Sequence, residues 1–332
     1  MSDIQKSDLK VIDLVNSNKS RLQILNYGAT IFSFKMYNKN EEFINLIVGP
    51  MQAEDYLTQT YREENKCFGA TIGRFAGRIA NGKFKIEDDE YALYQQEERV
   101  HLHGGEFGFQ YKLWEVDKVK EGENPSVTLS HTSEHMEEGY PGRLQVKAKY
   151  TLTETDEIKV FYTAKTDKDT IVNLTNHSYF NLNGGGSVSD HFMQVNASKI
   201  LELDEKNLPT GNLTKLKKSP KDYRENTLLG NRELDDVFVL DVMENEVQAQ
   251  LFSSLSGVKM KLSSNQSVLV VYSPETLPDT WTYLSEMDRK FPAVALEAQN
   301  YPDAPNFRNF PSSLLKPGEL YENNITFAFS VK

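Results

Sequence analysis

LQVKAKYTLTETDEIKVFYTAKT, residues 144–166, contains two runs in which apolar and polar residues alternate, separated by the polar stretch TETDE. Alternation with a period of two places successive side chains on opposite faces of a β-strand. A short polar connection between two such runs is typical of a β-hairpin, whose strands are antiparallel. The segment therefore predicts two neighbouring antiparallel strands, each with one buried face.

The same alternation recurs along the whole chain, for example in residues 22–27, 30–36, 258–262 and 325–331. No helical pattern extends beyond two or three turns, and no repeat or low-complexity linker divides the sequence. We therefore expect an all-β protein: one large antiparallel β-sandwich domain spanning residues 1–332. Residues 203–232 are polar and contain two prolines and two glycines, so we expect a long loop there.

Composition excludes several classes of protein. The formal net charge is −11, from 48 acidic and 37 basic residues, and no basic cluster could follow a phosphate backbone, so nucleic acid is an unsuitable partner. The sequence has no apolar leader and no run of 18 uncharged apolar residues, so we expect no membrane association. A single cysteine, Cys67, cannot form an internal disulfide, which favours a cytoplasmic protein with a buried structural thiol.

Polar side chains occupy one face of the predicted strand NLTNHSYFNL, residues 173–182: Asn173, Thr175, His177, Tyr179 and Asn181. Amide and hydroxyl groups hydrogen-bond to hydroxyls, and an aromatic ring covers the C–H face of a sugar ring. This face favours a ligand with many hydroxyl groups. The alternative is a structural histidine whose hydrogen bonds are satisfied by its neighbours.

Glu297 interrupts the apolar strand AVALEAQ, residues 293–299, and shares its face with Gln299. A buried carboxylate is unfavourable unless it is paired or used in chemistry. Burial also raises a carboxyl pKa, which makes the carboxylate a better base near neutral pH. Glu297 is thus a candidate catalytic base, with an ion pair to a basic residue as the alternative.

The motif HLHGG, residues 101–105, is predicted to place His101 and His103 on one side of a strand, before two glycines that permit close approach of a ligand. A His-x-His pair can also bind a metal, although no third ligand is evident.

Two further motifs contain charged groups. GATIGRFAGRIANG, residues 69–82, carries Arg74 and Arg78, whose guanidinium groups could bind hydroxyls or a carboxylate, or tie down a loop. ELDDVF, residues 233–238, contains Asp235 and Asp236, one of which could bind a sugar diol, with a solvated turn as the alternative.

Taken in order, GATIGRFAGRI, LHGG, GYPG, NLTNHSYFNL, LDDVF and LEAQNYPDAPNF resemble the motif series of the aldose 1-epimerases, the galactose mutarotase family. The resemblance covers residues 69–310 and implies a galactose mutarotase-like supersandwich that binds a free aldose such as glucose or galactose. It implies no cofactor and no metal. We expect a monomer or a homodimer. The chain departs from the family pattern at Ala298, where proline is common, and at Asp236, where histidine often follows the first aspartate.

Carried over residue by residue, the resemblance implies Glu297 as the catalytic base and His177 as the catalytic acid. Interconversion of anomers requires a base that takes the proton of the C1 hydroxyl and an acid that protonates the ring oxygen. We expect an ionised Glu297 and a protonated His177, because their opposite charges would favour each other. The expected sugar-binding residues are Arg78, His103, Asp235, Gln299 and Tyr179.

Two alternatives remain. A hexose-6-phosphate 1-epimerase would keep the fold but would need Arg74 and the lysine-rich residues 215–218 to bind phosphate. A non-catalytic carbohydrate-binding protein would not require both Glu297 and His177, so the presence of both argues against it.

Overall fold

The computed structural model describes residues 5–96, 98–241 and 246–332. Within these ranges the strands are β1 (Val11–Val15), β2 (Arg21–Leu25), β3 (Thr30–Tyr37), β4 (Phe43–Asn45), β5 (Ile47–Val48), β6 (Thr71–Ile72), β7 (Arg78–Ala80), β8 (Lys83–Ile86), β9 (Asp89–Ala92), β10 (Val100–Leu102), β11 (Glu115–Lys120), β12 (Ser126–Ser133), β13 (Leu144–Leu152), β14 (Glu157–Thr166), β15 (Thr170–Ile171), β16 (Thr175–Asn176), β17 (Tyr179–Phe180), β18 (His191–Val195), β19 (Ala197–Leu203), β20 (Pro209–Lys215), β21 (Thr227–Leu228), β22 (Leu234–Leu240), β23 (Ala249–Ser253), β24 (Val258–Ser264), β25 (Val268–Ser273), β26 (Val294–Gln299), β27 (Leu314–Leu315) and β28 (Tyr321–Val331).

Helices are short in the described part of the chain. The α-helix α1 (Gln59–Glu64) begins after Thr58, whose hydroxyl accepts a hydrogen bond from the Tyr61 N–H. The remaining helical turns are of the 3-10 type: Lys6–Asp8, Ala53–Leu57, Phe109–Tyr111, Glu137–Gly139 and Ala304–Asn306. None of the helices among the described residues is long and apolar enough to cross a membrane.

The hairpin expected at residues 144–166 is present. Strands β13 and β14 pair antiparallel from Leu144–Thr166 to Leu152–Ile158. Burial alternates along β13, where Leu144, Val146 and Ala148 point inward and the residues between them are exposed. Alternating burial is the physical cause of the sequence pattern, because only one face of the hairpin contacts the core.

Two large antiparallel sheets form the sandwich. One has nine strands in the order β11-β12-β13-β14-β28-β24-β23-β18-β21, and the other has seven in the order β20-β19-β22-β25-β26-β17-β5. The main hydrophobic core contains side chains from both, including Val146 and Val160 of the larger sheet and Val271 and Leu296 of the smaller. The expected antiparallel β-sandwich is confirmed.

The inward direction of Val271 and Leu296 determines what lies on the other side of the seven-stranded sheet. Successive residues of a strand point to opposite faces, so Val270 and Glu297 face away from the main core. They are also directly opposite each other in the β25–β26 pairing. The outer face of this sheet therefore carries the candidate catalytic carboxylate.

We expected a long loop at residues 203–232, but this segment also contains a strand of the seven-stranded sheet. Within it β20 pairs antiparallel with β19 and forms the outermost strand of the seven-stranded sheet. Most residues of β20 are exposed, so neither face is under pressure to be apolar and the alternation is weak.

Candidate active site

A cleft of about 460 Å³ lies on the outer face of the seven-stranded sheet. The floor of the cleft consists of two rows of side chains from β22, β25 and β26. Each row forms because residues paired directly across antiparallel strands share a face. One row contains Val237, Val270 and Glu297. The other contains Asp235, Tyr272 and Ala295, and continues to Tyr179 on β17.

Glu297 and His177 meet at the floor of the cleft. Glu297 lies within β26 and is 2% exposed, whereas His177 lies between β16 and β17 and is 5% exposed. The Nε2 atom of His177 is 3.4 Å from Oε1 of Glu297. The imidazole also packs against the ring of Tyr179, with 5.0 Å between ring centroids. The pair is thus held in contact by a strand on one side and an aromatic ring on the other.

Burial shifts the pKa values of Glu297 and His177 in the directions that favour their neutral forms. The pKa of Glu297 rises to about 8, mainly because burial disfavours the carboxylate, and the charge of Asp235 adds to the effect. Burial lowers the pKa of His177 to about 4. The expected combination of an ionised glutamate and a protonated histidine is therefore wrong for the unliganded site. In the unliganded site desolvation favours the state in which both side chains are neutral, with the proton on Glu297.

His103 contributes a neutral imidazole to the same cleft. Its Nδ1 accepts a hydrogen bond from the Gly77 N–H at 3.3 Å, so the ring proton is carried by Nε2. Burial and the nearby His177 lower its pKa well below the usual value. With ring centroids 5.5 Å apart, His103 and His177 face one ligand position. His103 is placed to donate a hydrogen bond rather than to titrate.

His101 does not share the position of His103. Strand β10 ends at Leu102, and His103 has a left-handed φ of 50°, so the expected placement of both histidines on one side of a strand is wrong. The nitrogens of His101 lie 2.6 Å from the Tyr94 carbonyl oxygen and 2.5 Å from the Tyr140 hydroxyl. In the described ranges, no group of three or more His, Cys, Asp or Glu side chains is arranged to hold a metal.

Arg78 and Asp235 form the far wall of the cleft. Nη2 of Arg78 is 3.6 Å from Oδ2 of Asp235, which also accepts a hydrogen bond from Nδ2 of Asn207 at 3.0 Å. Both charged side chains are partly exposed to the cleft. A fork of N–H donors next to a carboxylate suits the vicinal hydroxyls of a sugar.

Gln299 and Tyr179 line the cleft in different ways. Gln299 is fully buried; its Nε2 donates to the Asn300 carbonyl, and its Oε1 has no hydrogen-bond partner among the described residues. That oxygen is available to accept a hydrogen bond from a ligand. The Tyr179 hydroxyl already donates to the Lys66 carbonyl at 2.9 Å, so Tyr179 offers its ring and not its hydroxyl.

The polar face predicted for residues 173–181 is mostly structural. The strand is broken into β16 and β17, and the side chains of Asn173, Thr175 and Asn181 donate to backbone carbonyls. Only His177 and Tyr179 of that face reach the cleft.

Arg74 is also structural. Its guanidinium is 2% exposed and donates to the carbonyl oxygens of Ser133, Glu134, Pro141 and Gly142. It ties two loops together and lies outside the cleft, so it cannot bind the phosphate of a sugar ligand there.

The buried turn after β26 supports Arg78. The backbone N–H of Asp303 donates a hydrogen bond to the Arg78 carbonyl at 2.8 Å. Oδ1 of Asp303 accepts a hydrogen bond from the Ala80 N–H at 3.1 Å. The Asn306 side chain donates to the same oxygen at 2.6 Å. Burial raises the pKa of Asp303 to about 6. This turn connects the strand of Glu297 to the strand of Arg78.

Several residues that line the cleft were not among those predicted from the sequence, including Tyr272, Asn207 and Lys66. Tyr272 alternates with Val268 and Val270, and this signal could have placed all three on one face. Only the pairing register shows that this face is the one carrying Glu297. Asn207 and Lys66 lie in loops, where no periodic signal exists.

Comparison with known proteins identifies close relatives. The family model described as aldose 1-epimerase matches residues 10–328. Galactose mutarotases of Rattus norvegicus and Homo sapiens are each 34% identical over 328 residues, covering 96% of this chain and 93% of the relative. An aldose 1-epimerase of Haemophilus influenzae is 31% identical over 336 residues, with 96% of this chain and 95% of the relative covered.

Solved structures with the same fold include an aldose epimerase homologue from C. elegans, with a TM-score of 0.88 at 25% identity and coverage of 97% of this chain and 99% of that chain. A galactose 1-epimerase from Lactobacillus acidophilus gives a TM-score of 0.85 at 26% identity, covering 97% of this chain and 95% of that chain.

Proposed function

The chain belongs to the aldose 1-epimerase family, whose members interconvert the α and β anomers of free sugars, and we propose that Glu297 and His177 perform the proton transfers in its cleft. The observation that carries this assignment is the 3.4 Å contact between their side chains, which places a base and an acid against one small ligand.

The pair holds the number of protons that the reaction needs. With a closed sugar ring, the productive form has an ionised Glu297 and a protonated His177. Transfer of one proton from Glu297 to His177 converts the resting form into this one without a net change in charge. The ligand replaces part of the lost hydration and supplies hydrogen bonds to both charged groups.

Ring opening then removes one proton from the sugar and adds one proton to it. Glu297 removes the proton of the C1 hydroxyl while His177 protonates the ring oxygen, and the C1–O5 bond breaks. The open aldehyde rotates about C1–C2 and closes on its other face, with each residue reversing its role. In the open-chain state both residues are neutral, which is the form that burial favours. Each positioned group contributes about 10²- to 10⁴-fold.

The remaining cleft residues hold the sugar. Arg78 and Asp235 bind hydroxyls at the end away from C1, His103 donates from Nε2, and Gln299 accepts at Oε1. The rings of Tyr179 and Tyr272 cover apolar C–H surface of the sugar. These steps require proton transfer and hydrogen bonds only, so we propose that no cofactor or metal takes part.

Polarimetry tests this function. We expect the protein to accelerate the optical change of freshly dissolved α-glucose or α-galactose, and the variant E297Q to abolish most of the acceleration. A protein that leaves the spontaneous rate in buffer unchanged would refute the proposal. Glucose 6-phosphate serves as a comparison, and we expect it to react more slowly because Arg74 is occupied with loop carbonyls.

We also propose that residues 1–332 form one domain acting in the cytoplasm as a monomer or homodimer, without a nucleic-acid partner. The shared core of the two sheets supports one domain. The lone buried Cys67 supports a cytoplasmic location, and the net charge of −11 argues against a nucleic-acid partner. A single unfolding transition in calorimetry would support one domain. Light scattering would give the molecular mass and distinguish the monomer from the homodimer.

A further inference from the structure

The two ends of the cleft differ in charge. At the β22 end the carboxylates of Glu233 and Asp235 line the wall, and Nη2 of Arg78 is 3.6 Å from Asp235. Strand β17 lies three strands away from β22 across the sheet, a separation of about 14 Å. Asn65 and Lys66 form the wall at this second end. A cation therefore stands alone at the end that is remote from the acidic side chains.

Lys66 lies on the His177 side of the catalytic pair. Its carbonyl oxygen accepts a hydrogen bond from the hydroxyl of Tyr179, which lies on β17 next to β26. Burial and, in addition, the positive charge of Lys66 lower the pKa of His177. The charges that act on the pKa of Glu297 are instead those of Asp235 and Arg78. The ammonium is therefore nearer to the imidazole than to the glutamate.

The donor groups at this end are free to bind a ligand. In the part of the chain that the structure describes, the ammonium of Lys66 has no ion pair and no hydrogen bond. Oδ1 of Asn65 accepts a hydrogen bond from the Tyr111 hydroxyl at 2.7 Å, so the amide is oriented with Nδ2 directed away from that hydroxyl. An ammonium beside an amide N–H forms a pair of donors that suits a carboxylate.

The proposed mechanism determines which part of the sugar faces Lys66. His177 protonates the ring oxygen O5, and Glu297 acts at C1, the carbon bonded to O5 on one side. The carbon bonded to O5 on the other side is C5, which carries C6. C6 therefore projects on the His177 side of the pair, toward Lys66, while C3 and C4 face Asp235.

We propose, on the premise of the function above, that Lys66 and Asn65 bind a carboxylate at C6, so that the cleft accepts hexuronic acids as substrates alongside neutral hexoses. The ammonium forms a charge-assisted hydrogen bond to one carboxylate oxygen, and the amide donates to the other. One ammonium balances the single charge of a carboxylate, but not the 1.5 to 2 negative charges that a phosphate monoester carries near neutral pH, about twice as many. This wall takes no part in the proton transfers.

The test compares three sugars that share one ring and differ only at C6: galactose, galacturonate and galacturonamide. The amide has the shape of the carboxylate without its charge. Exchange between anomeric protons, measured at equilibrium by NMR saturation transfer, gives the rate without pure anomers. We expect kcat/KM for galacturonate to exceed that for galacturonamide about tenfold, the contribution of one hydrogen bond to a charged group.

Two methionine variants separate the local contact from the overall charge of the protein. K66M removes the ammonium at the C6 end. K206M removes a lysine near the opposite end, where Nζ of Lys206 is 3.0 Å from the Glu98 carbonyl oxygen. Both change the net charge equally. We expect K66M to lose the preference for galacturonate over the amide and K206M to keep it, because charges more than about 10 Å apart are largely screened. K66R keeps a cation and should retain most of the preference.

Equal kcat/KM for galacturonate and galacturonamide in the wild type would overturn the proposal. So would a preference that survives in K66M, or one that falls equally in K66M and K206M. Circular dichroism checks that K66M is folded, and K66Q replaces it otherwise. Absence of catalysed exchange with galactose itself would instead overturn the assigned epimerase function.

Discussion

Nε2 of His177 lies 3.4 Å from Oε1 of Glu297, and both side chains are almost completely buried. Two groups in this arrangement behave as one titrating unit, because the protonation of one changes the energy of the other. Burial separates their pKa values in the direction opposite to that of two solvated side chains. In the proposed mechanism, the number of protons on the pair, and not the charge on either residue, therefore defines the active form.

The pH dependence of kcat/KM should be bell-shaped. The active form carries one proton on the pair, and it loses that proton as pH rises through the pKa of Glu297, about 8. It gains a second proton as pH falls through the pKa of His177, about 4. Initial rates measured across this range should therefore decline on both sides. A plateau extending well above pH 8 would contradict this assignment of the alkaline limb.

Replacement of Glu297 by glutamine should lower kcat by about 10²-fold or more while KM changes little. Glutamine preserves shape and hydrogen-bonding capacity but cannot accept the proton of the C1 hydroxyl. Saturation kinetics with galactose, together with a separate measurement of sugar affinity by calorimetry, would check both parts. Turnover close to that of the wild type would remove Glu297 from the mechanism.

Replacement of His177 by asparagine should cost about 10²-fold in kcat and change the shape of the pH profile. Only Glu297 then titrates, and its ionised form is the one that remains useful, so the residual activity should rise with pH.

His103→Asn is the matched control. His103 is a neutral donor in the structure, so this variant should raise KM and keep both limbs of the wild-type profile. If H103N loses a limb and H177N retains both, the two histidines have been assigned the wrong way round.

Replacement of Arg74 by methionine should reduce the free energy of unfolding by about 3 kcal/mol or more, because it leaves several buried carbonyl oxygens without donors. Urea denaturation provides the measurement. The folded fraction of R74M should keep the wild-type KM for glucose, since the guanidinium does not face the cleft. Unchanged stability with a large rise in KM would indicate that Arg74 contacts the ligand after all.

Replacement of Asp303 by alanine should raise KM about tenfold with a smaller effect on kcat. The carboxylate holds the Ala80 N–H, so its loss lets Arg78 shift relative to the sugar. D303N retains an oxygen at the same place and should recover most of the affinity. Identical kinetics for the two variants would show that the hydrogen bond to Ala80 does not position Arg78.

Local patterns in the sequence were sufficient to predict the strands that have one buried face. The hairpin β13–β14 could be predicted because alternation is a property of neighbouring residues and reports directly which side chains meet the core. The exposed strand β20 could not, since without a buried face there is no pressure to alternate.

By itself the sequence determined the antiparallel sandwich, the family and the identities of the candidate acid and base, because periodicity and short motifs are encoded in consecutive residues. Tertiary structure decided that Arg74 is buried among carbonyls, that Tyr272 faces Glu297's side of the sheet, and that Lys66 lines the cleft. It also decided the burial that raises the pKa of Glu297 and lowers that of His177. Register and desolvation depend on which distant segments pack together, and no local pattern encodes that arrangement.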